Sequence, residues 1–351
     1  MEPRNILAIE IGGTKLQLIV YSREGEVLGR WRKAIDPAKA AAGICDDIRD
    51  VIAEIRKKLE ITHIGVGFGG PVDREKGTIC TSHQVNGWQG FDLAGWLNQL
   101  TGLPVYLEND ANVAALGEAH FGAGRNFRTV FYMTVGSGIG GGLVQDKQLY
   151  CGRTPGEAEV GHLRMDMEGA TLESVCSGWA VNELVRTSAR EHPGSILAGI
   201  INANPGRQPG DGKQGSDKQP GGDRQPGDGK QPGGDRLAGG EARTLAPALE
   251  QGCPVAQDIL RLVGQRLAWG LSHVVHLFHP DILIIGGGLS LLGRPLQESV
   301  QRQLPDFVMN AFLPPPPVEL AALNEDVVPL GALALTRMNT EPFPNPQSSN
   351  K

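Results

Sequence analysis

The sequence predicts an α/β fold built from two similar units, each consisting of a strand, a glycine-rich turn and a second strand. The first unit spans residues 4–21, with Gly12-Gly13-Thr14 at its turn, and the second spans 129–145, with five glycines in the turn at 136–142. No helix follows the first glycines, so the pattern favours a β-hairpin over the βαβ start of a dinucleotide-binding domain. The repetition indicates a duplicated architecture.

Hydrophobic spacing predicts the remaining elements in chain order. After the first hairpin we expect a strand at 26–33, a helix at 40–59, a strand at 63–68, a helix at 92–101, a strand at 105–107 and a helix at 111–120. After the second hairpin we expect helices at 173–191 and 255–278, a strand at 282–285 and a closing helix at 330–338. Helices thus accompany the strands in both halves, as α/β domains require.

Composition excludes several classes of protein. The 351 residues carry 33 Lys and Arg against 39 Asp and Glu, a net charge of −6 without a dense basic run, so no nucleic-acid surface is expected. The five cysteines form no C-x-x-C pair, which fits a reducing compartment better than a disulfide framework. Neither a signal-peptide core nor an apolar run of ~18 residues is present. We therefore expect a cytoplasmic protein that does not bind membranes.

One internal segment, residues 203–241, has a different character. The sequence of 207–214 recurs at 224–231, that of 218–224 recurs at 230–236, and large apolar side chains are almost absent. Such a segment cannot bury enough surface to offset the entropy of ordering, so we predict a disordered insertion. A docking segment for a partner is the alternative. The Pro- and Asn-rich tail from 339 to 351 is predicted to fray.

Three glycine turns are candidates for phosphate binding, because backbone N–H groups can approach an anion where side chains are absent. The first could equally be a plain hairpin turn with an exposed lysine, and the third, which follows a buried strand, a tight turn into a helix. The second has more glycines than a hairpin needs, which favours phosphate. The candidates are Gly12, Gly13, Thr14, Lys15, Gly136, Ser137, Gly138, Gly140, Gly286, Gly287 and Gly288.

The candidate general base is Asp110, which follows a predicted strand and precedes an Ala-rich helix. A sugar hydroxyl is a poor nucleophile, and a carboxylate that accepts its proton is the usual remedy in phosphoryl transfer. Asn109 could hydrogen-bond neighbouring hydroxyls. Both residue types are also preferred helix N-caps, so one of the pair could cap the helix while the other catalyses.

A second polar cluster contains Glu157, Glu159, His162 and Glu173, around Gly156 and Gly161. Carboxylates and a histidine at this spacing suit a loop that lines a polyol site, although single Glu or His residues are usually on the surface. Cys176 is isolated, so the sequence does not predict a zinc site.

Together these segments resemble the ROK family of sugar kinases, within the actin/hexokinase/Hsp70-like ATPase superfold. The family's motifs occur in the family's order over nearly the whole chain apart from 203–241 and the tail: Gly12-Gly13-Thr14, Gly70-Pro71-Val72-Asp73, Asn109-Asp110-Ala111-Asn112, the 136–142 turn, Glu159-Val160-Gly161-His162 and Gly286-Gly287-Gly288. The resemblance implies two actin-like ATPase (ribonuclease H-like) domains with a cleft between them. The first would span 1–120 with the closing helix at 328–338, and the second 121–327.

The resemblance also implies a set of roles. ATP and Mg²⁺ would be used, with Asp110 as the catalytic base and Glu10 holding Mg²⁺ through a water molecule. Sugar hydroxyls would be bound by Gly70, Asn86, Asn109, Glu159, His162 and Glu173. A homodimer is implied as well.

Two departures from the family pattern bear on these roles. The first motif commonly begins with Asp, where this chain has Glu10, whose extra methylene still permits a water-mediated contact. Many members carry a cysteine-rich zinc loop after the Gly-His pair, whereas residues 163–172 here contain no cysteine.

Family repressors carry a helix-turn-helix before the first strand, and only about four residues stand there in this chain. A DNA-binding regulator is therefore not expected.

The sequence thus predicts an ATP-dependent kinase that phosphorylates the terminal hydroxyl of a hexose, with glucose favoured. N-acetylmannosamine, fructose and allose are alternative substrates, and polyphosphate is an alternative donor. The second hypothesis is a sugar-sensing protein that has kept the fold without catalysis.

Overall fold

The computed structural model describes residues 5–82, 84–153, 158–203 and 240–340. The strands are β1 (Ile6–Ile11), β2 (Lys15–Tyr21), β3 (Val27–Ala34), β4 (His63–Phe68), β5 (Val72–Asp73), β6 (Thr78–Ile79), β7 (Val105–Asn109), β8 (Thr129–Val135), β9 (Ile139–Gln145), β10 (Gln148–Leu149), β11 (Ile282–Gly286) and β12 (Val318–Leu320). The α-helices are α1 (Ala40–Ile55), α2 (Leu93–Thr101), α3 (Asp110–Phe121), α4 (Leu172–Cys176), α5 (Gly178–Glu191), α6 (Ile196–Ala203), α7 (Leu245–Glu250), α8 (Pro254–Phe278), α9 (Arg294–Gln303) and α10 (Val327–Thr340).

Two five-stranded sheets have the same topology, which confirms the duplicated architecture predicted from the sequence. The first sheet has the order β3-β2-β1-β4-β7 and the second β10-β9-β8-β11-β12. In each sheet the first hairpin is antiparallel, and the next strand beside it runs parallel to the hairpin's first strand. Because parallel strands end at the same edge, each sheet gathers its glycine turns at one side.

Strands such as β1 and β11 are nearly continuous apolar runs. Because successive side chains point to opposite faces, these runs supply apolar residues to both faces of each sheet. One cluster lies between the first sheet and helices α1 and α2, and another between the second sheet and helices α5, α8 and α9. The third cluster combines the inner faces of both sheets with α3 and α10, and includes Ala8, Tyr132 and Ala332. Helices α3 and α10 therefore lie between the two sheets, where they position the ends of the strands.

Most predicted elements are present, with shifted ends. The helix predicted at 40–59 ends at Ile55, and the strand predicted at 105–107 continues to Asn109. The single helix predicted at 173–191 was wrong: α4 ends at Cys176, and Ser177 caps a new helix by accepting the N–H of Ala180. Strand β12 and helices α6, α7 and α9 were not predicted.

The predicted insertion at 203–241 lies almost entirely outside the described residues, as does the tail beyond 340. None of the helices that the structure describes is long and apolar enough to cross a membrane. Helix α10 packs against β1, β4 and α3. That packing agrees with a first domain made of 1–120 and 328–338, a division that stays a prediction.

Candidate functional site

The ends of three parallel strands bring the first glycine turn and the candidate base together. In the register of the first sheet, Ile11 of β1 pairs with Phe68 of β4, and Phe68 pairs with Asn109 of β7. The next residue on each strand is therefore at the same edge. The Gly69 N–H donates to the Ile11 carbonyl at 2.8 Å, and a Cβ on Gly69 would lie only 3.4 Å from Oδ2 of Asp110.

The structure shows which residue of the Asn109-Asp110 pair caps helix α3. Oδ1 of Asn109 accepts the N–H groups of Ala111 and Asn112 at 2.9 and 3.3 Å, so Asn109 is the N-cap of α3. Its Nδ2 donates to the Gly70 carbonyl at 3.1 Å, which leaves one amide hydrogen for a ligand. Capping by Asn109 relieves Asp110 of that task.

Asp110 occupies the first position of α3, half-buried beside other carboxylates. The pKa of its carboxyl is raised to about 7, mainly by removal from water and also by the negative charges of Glu10 and Glu159, while the N–H of Ala111 opposes the shift. A general base is most effective when its pKa lies near the working pH. The environment of Asp110 is therefore suited to accepting a proton near neutrality.

Glu10 faces the same edge and is paired with a cation. Its Oε1 lies 3.1 Å from the Lys15 ammonium, and its Oε2 accepts a hydrogen bond from buried Gln17 at 3.2 Å. Burial raises the pKa of Glu10, and Lys15 counteracts that shift. Lys15, predicted to bind phosphate, is paired with Glu10 in this structure.

Glu10 could hold Mg²⁺ through a water molecule, although no group of three His, Cys, Asp or Glu in the described part of the chain could cage a metal. Mg²⁺ is usually held by one or two carboxylates, water and substrate phosphates, so a single carboxylate beside bound phosphate is enough. Asp110 would then stay free to accept a proton.

The second glycine turn is held by an acidic side chain and by a helix start. Oε2 of Glu173 accepts the N–H of Ile139 at 2.8 Å, and a Cβ on Gly138 would lie 2.6 Å from that oxygen. The Gly178 N–H, at the start of α5, donates to the Gly136 carbonyl at 2.7 Å. The break between α4 and α5 thus allows the second helix to begin against the turn.

Three of the predicted sugar-binding residues lie close enough for their charges to interact. They are Glu159, His162 and Glu173. Partial desolvation raises the pKa of Glu159, the charge of His162 lowers it, and that of Glu173 raises it again. The group is also near the base, because Glu159 contributes to the raised pKa of Asp110. Glu157, placed in the same cluster by the sequence, lies outside the described residues.

A short hydrogen-bonded hairpin at residues 163–172 joins His162 to Glu173. The Met165 N–H donates to the Ala170 carbonyl at 2.8 Å, and the Leu172 N–H donates to the Leu163 carbonyl at 2.9 Å. Oδ1 of Asp166 accepts the N–H groups of both Gly169 and Ala170 at 2.8 Å. The cysteine-free segment therefore closes on itself through backbone and carboxylate hydrogen bonds.

A comparison with known proteins decides the family. A model of the ROK family matches residues 6–339. The chain belongs to the ROK family. Its fold is the two-domain actin-like ATPase fold of the ROK sugar kinases, with a cleft between the domains as the sequence predicts.

Glucokinases are among its most similar relatives. That of Streptomyces coelicolor is 31% identical over 352 residues, covering 96% of this chain and 98% of the relative. That of Thermotoga maritima is 28% identical over 345 residues, again covering 96% and 98%. The structure of a ROK family glucokinase from Streptomyces griseus in complex with glucose and AMPPNP has a TM-score of 0.76 and 28% identity, and the match covers 95% of this chain and 99% of that one. The family also includes transcriptional regulators.

In this ROK protein, several glycines in and after the predicted phosphate-binding turns have packing roles. Gly140 and Gly142 lie within β9, and a Cβ on either would meet Ala111 or Ala115 of α3 at 3.0 and 2.7 Å. Gly286 makes room for the Tyr132 ring, and Gly287 has a φ of 79° and closely approaches the backbone of Val135.

Packing therefore accounts for the absence of a side chain at Gly140, Gly286 and Gly287, and their binding of phosphate stays a prediction. By contrast, Gly288 has open space at its Cβ position, and the turn from Gly136 to Gly138 is approached by Glu173, α5 and the side chain of Gln84.

A side chain that the sequence analysis missed, Gln84, bridges the two glycine turns. Its Nε2 donates to Oγ of Ser137 at 3.3 Å, and its side chain covers Gly13, where a Cβ would collide with it. The backbone carbonyl of Asn86, the predicted sugar ligand, accepts the Ala41 N–H at the start of α1, at 2.9 Å. No periodic pattern covers this loop, so nothing in the sequence distinguished the two amides.

Thr14 is exposed in the first turn, and its carbonyl accepts the Ile35 N–H at 2.9 Å. Glu108, also missed, is buried beside the base: Oε1 accepts the Asn109 N–H at 2.7 Å, and Oε2 lies 3.5 Å from Arg74. The strand predicted at 105–107 ended before Glu108, so nothing in that prediction indicated that this charge is buried.

Proposed function

We propose that the protein phosphorylates the terminal hydroxyl of a hexose with ATP, with glucose as the favoured substrate. The observation that carries this proposal is the placement of Asp110, whose pKa is raised to about 7, beside Gly69 and the first glycine turn, while the next residue, Ala111, contacts Gly140 after the second turn. The glucose and AMPPNP named for the structurally similar Streptomyces griseus glucokinase support the choice of substrate and donor.

In the proposed reaction the sugar oxygen forms a bond to the γ-phosphorus as the bond from that phosphorus to the β–γ bridging oxygen breaks. Asp110 accepts the hydroxyl proton, and ADP is the leaving group. The Gly12 and Gly136 N–H groups donate to the carbonyls of Lys15 and Gly138 within their turns, so the remaining N–H groups of the two turns would bind the phosphates. Glu159, His162 and Glu173 would orient the hydroxyls. Mg²⁺, when bound near Glu10, would offset the phosphate charge.

The test is ADP release by the purified protein with ATP and Mg²⁺ across glucose, N-acetylmannosamine, fructose and allose. Turnover with one sugar would support the kinase and name its substrate, and polyphosphate replaces ATP in a parallel series. Sugar binding by calorimetry without turnover from any donor would favour the sugar-sensing alternative. That alternative draws its support from the regulators in the family.

The pH dependence should report the base. Asp110 must be deprotonated to accept a proton, so kcat/KM should be constant above about pH 7 and fall about tenfold per pH unit below it. An unperturbed aspartate would leave the profile flat to about pH 5. Initial rates at limiting glucose decide between the two, with circular dichroism to verify that the protein stays folded across the range. A profile that is flat down to pH 5 would contradict the assignment.

Activity should not depend on zinc. Because hydrogen bonds close the 163–172 hairpin, dialysis against 1,10-phenanthroline followed by assay with Mg²⁺ should leave the rate unchanged. Asp166→Ala, which removes the acceptor for two N–H groups, should raise the KM for glucose several-fold. Loss of activity on chelation, with recovery on adding Zn²⁺, would refute this expectation.

We also propose a homodimer. Exposed apolar and aromatic side chains lie around the C-terminal half of α8: Trp269, Leu277 and Phe278, with Tyr150 packed on Phe278 at 6.0 Å and Phe312 stacked on His279 at 4.2 Å. Contiguous apolar surface of this kind marks protein interfaces. Light scattering of the wild type and of Leu277→Lys would test it, and a monomeric wild type would refute it.

A further inference from the structure

Glu118 is a wholly buried acidic residue in the last turn of α3, with an exposed fraction of 0%. Its Oε2 accepts the Ala123 N–H at 2.8 Å, and its Oε1 accepts the Leu323 N–H at 2.9 Å. The two donors are 200 residues apart in sequence. One carboxyl group thus holds two separate stretches of chain.

These two stretches are the connections between the sheets. The chain leaves the first sheet through α3 and residues 122–128, which lead into β8. It returns from β12 through residues 321–326, which lead into α10. Any movement of one domain relative to the other must be absorbed there, and hinges are typically a few residues of this kind.

The first connection is also held from the opposite side. Nζ of Lys147 donates to the carbonyls of Ala119 and Arg125 at 2.6 and 2.7 Å. Burial lowers the pKa of Lys147. Glu118 therefore binds one N–H group of this connection, and Lys147 binds carbonyls of the connection and of the end of α3, so both kinds of backbone group are held.

The same helix carries the candidate base at its other end. Asp110 and Glu118 are eight residues apart on α3, which is a rise of about 12 Å. Helix α3 packs closely on α10, because a Cβ on Gly117 would collide with the Val327 carbonyl. A displacement of the Glu118 end is therefore transmitted to the Asp110 end.

We propose that Glu118 is a positioning residue that fixes the pivot about which the cleft closes over sugar and ATP. This inference rests on the proposed kinase function. With the pivot fixed, closure brings the second glycine turn onto Asp110 in one geometry and excludes water. With the pivot loosened, water can replace the sugar hydroxyl, so that ATP and water give ADP and inorganic phosphate.

The test is Glu118→Gln, which keeps the shape but presents an amide N–H₂ to one of the two N–H donors. We expect the KM for glucose to rise about tenfold. We also expect ADP release to exceed sugar phosphate formation, and the decrease in radius of gyration on adding glucose and AMPPNP to shrink. The ratio of the two products is independent of the amount of folded protein. The matched control is Asp146→Asn, which breaks an exposed ion pair with Arg128 beside the same connection and should behave as wild type.

If Glu118→Gln keeps a product ratio of one and the wild-type compaction, and loses only melting temperature, Glu118 is merely structural and the inference is wrong. If the wild type phosphorylates no sugar, the proposed function fails instead, and the two failures are distinguishable. Should the variant not fold, hydrogen exchange of the wild type decides. Both the Ala123 and Leu323 amides should stay protected with and without glucose and AMPPNP, and rapid exchange at either would overturn the proposal.

Discussion

Asp110→Asn is expected to lower kcat by about 10²–10⁴-fold while leaving glucose affinity nearly unchanged. The amide has the shape of the carboxyl and can still accept the Ala111 N–H, so the start of α3 is preserved. It cannot accept a proton from the sugar hydroxyl. Steady-state turnover by coupled ADP detection, together with calorimetric titration of glucose, separates the loss of chemistry from a loss of binding.

The pH dependence of the melting temperature of Asp110→Asn serves as a control for its folding. The folded protein raises the pKa of Asp110 from 3.8 to about 7, so it binds more protons than the unfolded chain between these values. Wild-type stability therefore falls as pH rises through this window. The Asn variant lacks that dependence and should gain melting temperature relative to the wild type at pH 8 but not at pH 4. Undiminished turnover in this variant would exclude Asp110 as the base.

Gly331→Ala should destabilise the protein more than any other conservative change in its core. Gly331 of α10 faces α3, and a Cβ there would collide with the carbonyl oxygen of Val113. Backbone atoms cannot move aside as a flexible side chain can, so the two helices must separate. Overpacking of this kind typically costs about 1–3 kcal/mol and sometimes more. Urea unfolding followed by circular dichroism measures the change.

The matched control is Gly199→Ala, the same substitution in helix α6. No atom lies within 4 Å of the position of its Cβ, and the residue is exposed. There the alanine should stabilise by about 0.5–1 kcal/mol, because glycine is the poorer helix former. Equal effects at the two sites would mean that α3 and α10 are not in contact at Gly331.

The sequence predicted what is local. Apolar runs followed by glycine turns predicted the two hairpins, and the Asn-Asp pair at a strand end predicted both a cap and a base. The structure shows that Asn109 is the cap, and the role of Asp110 as the base stays a prediction. The break at Ser177 could have been found, because serine is a preferred N-cap inside the predicted 173–191 helix.

What could not be predicted depends on contacts distant in sequence. Gly142 is required by Ala115, which lies 27 residues earlier, so its role was indistinguishable from ligand binding. Glu118 looks like an ordinary polar helix residue until the Leu323 N–H, 205 residues away, is seen beside it. The contact between Gln84 and Ser137, 53 residues apart, could likewise not be read from the sequence.

The hairpin at 163–172 has a consequence for how the protein would respond to a shortage of zinc. Zinc loops hold their shape only while the metal is bound to their ligands. In this chain Asp166 and backbone groups join His162 to Glu173. This segment would therefore keep its shape in a cell that is starved of zinc.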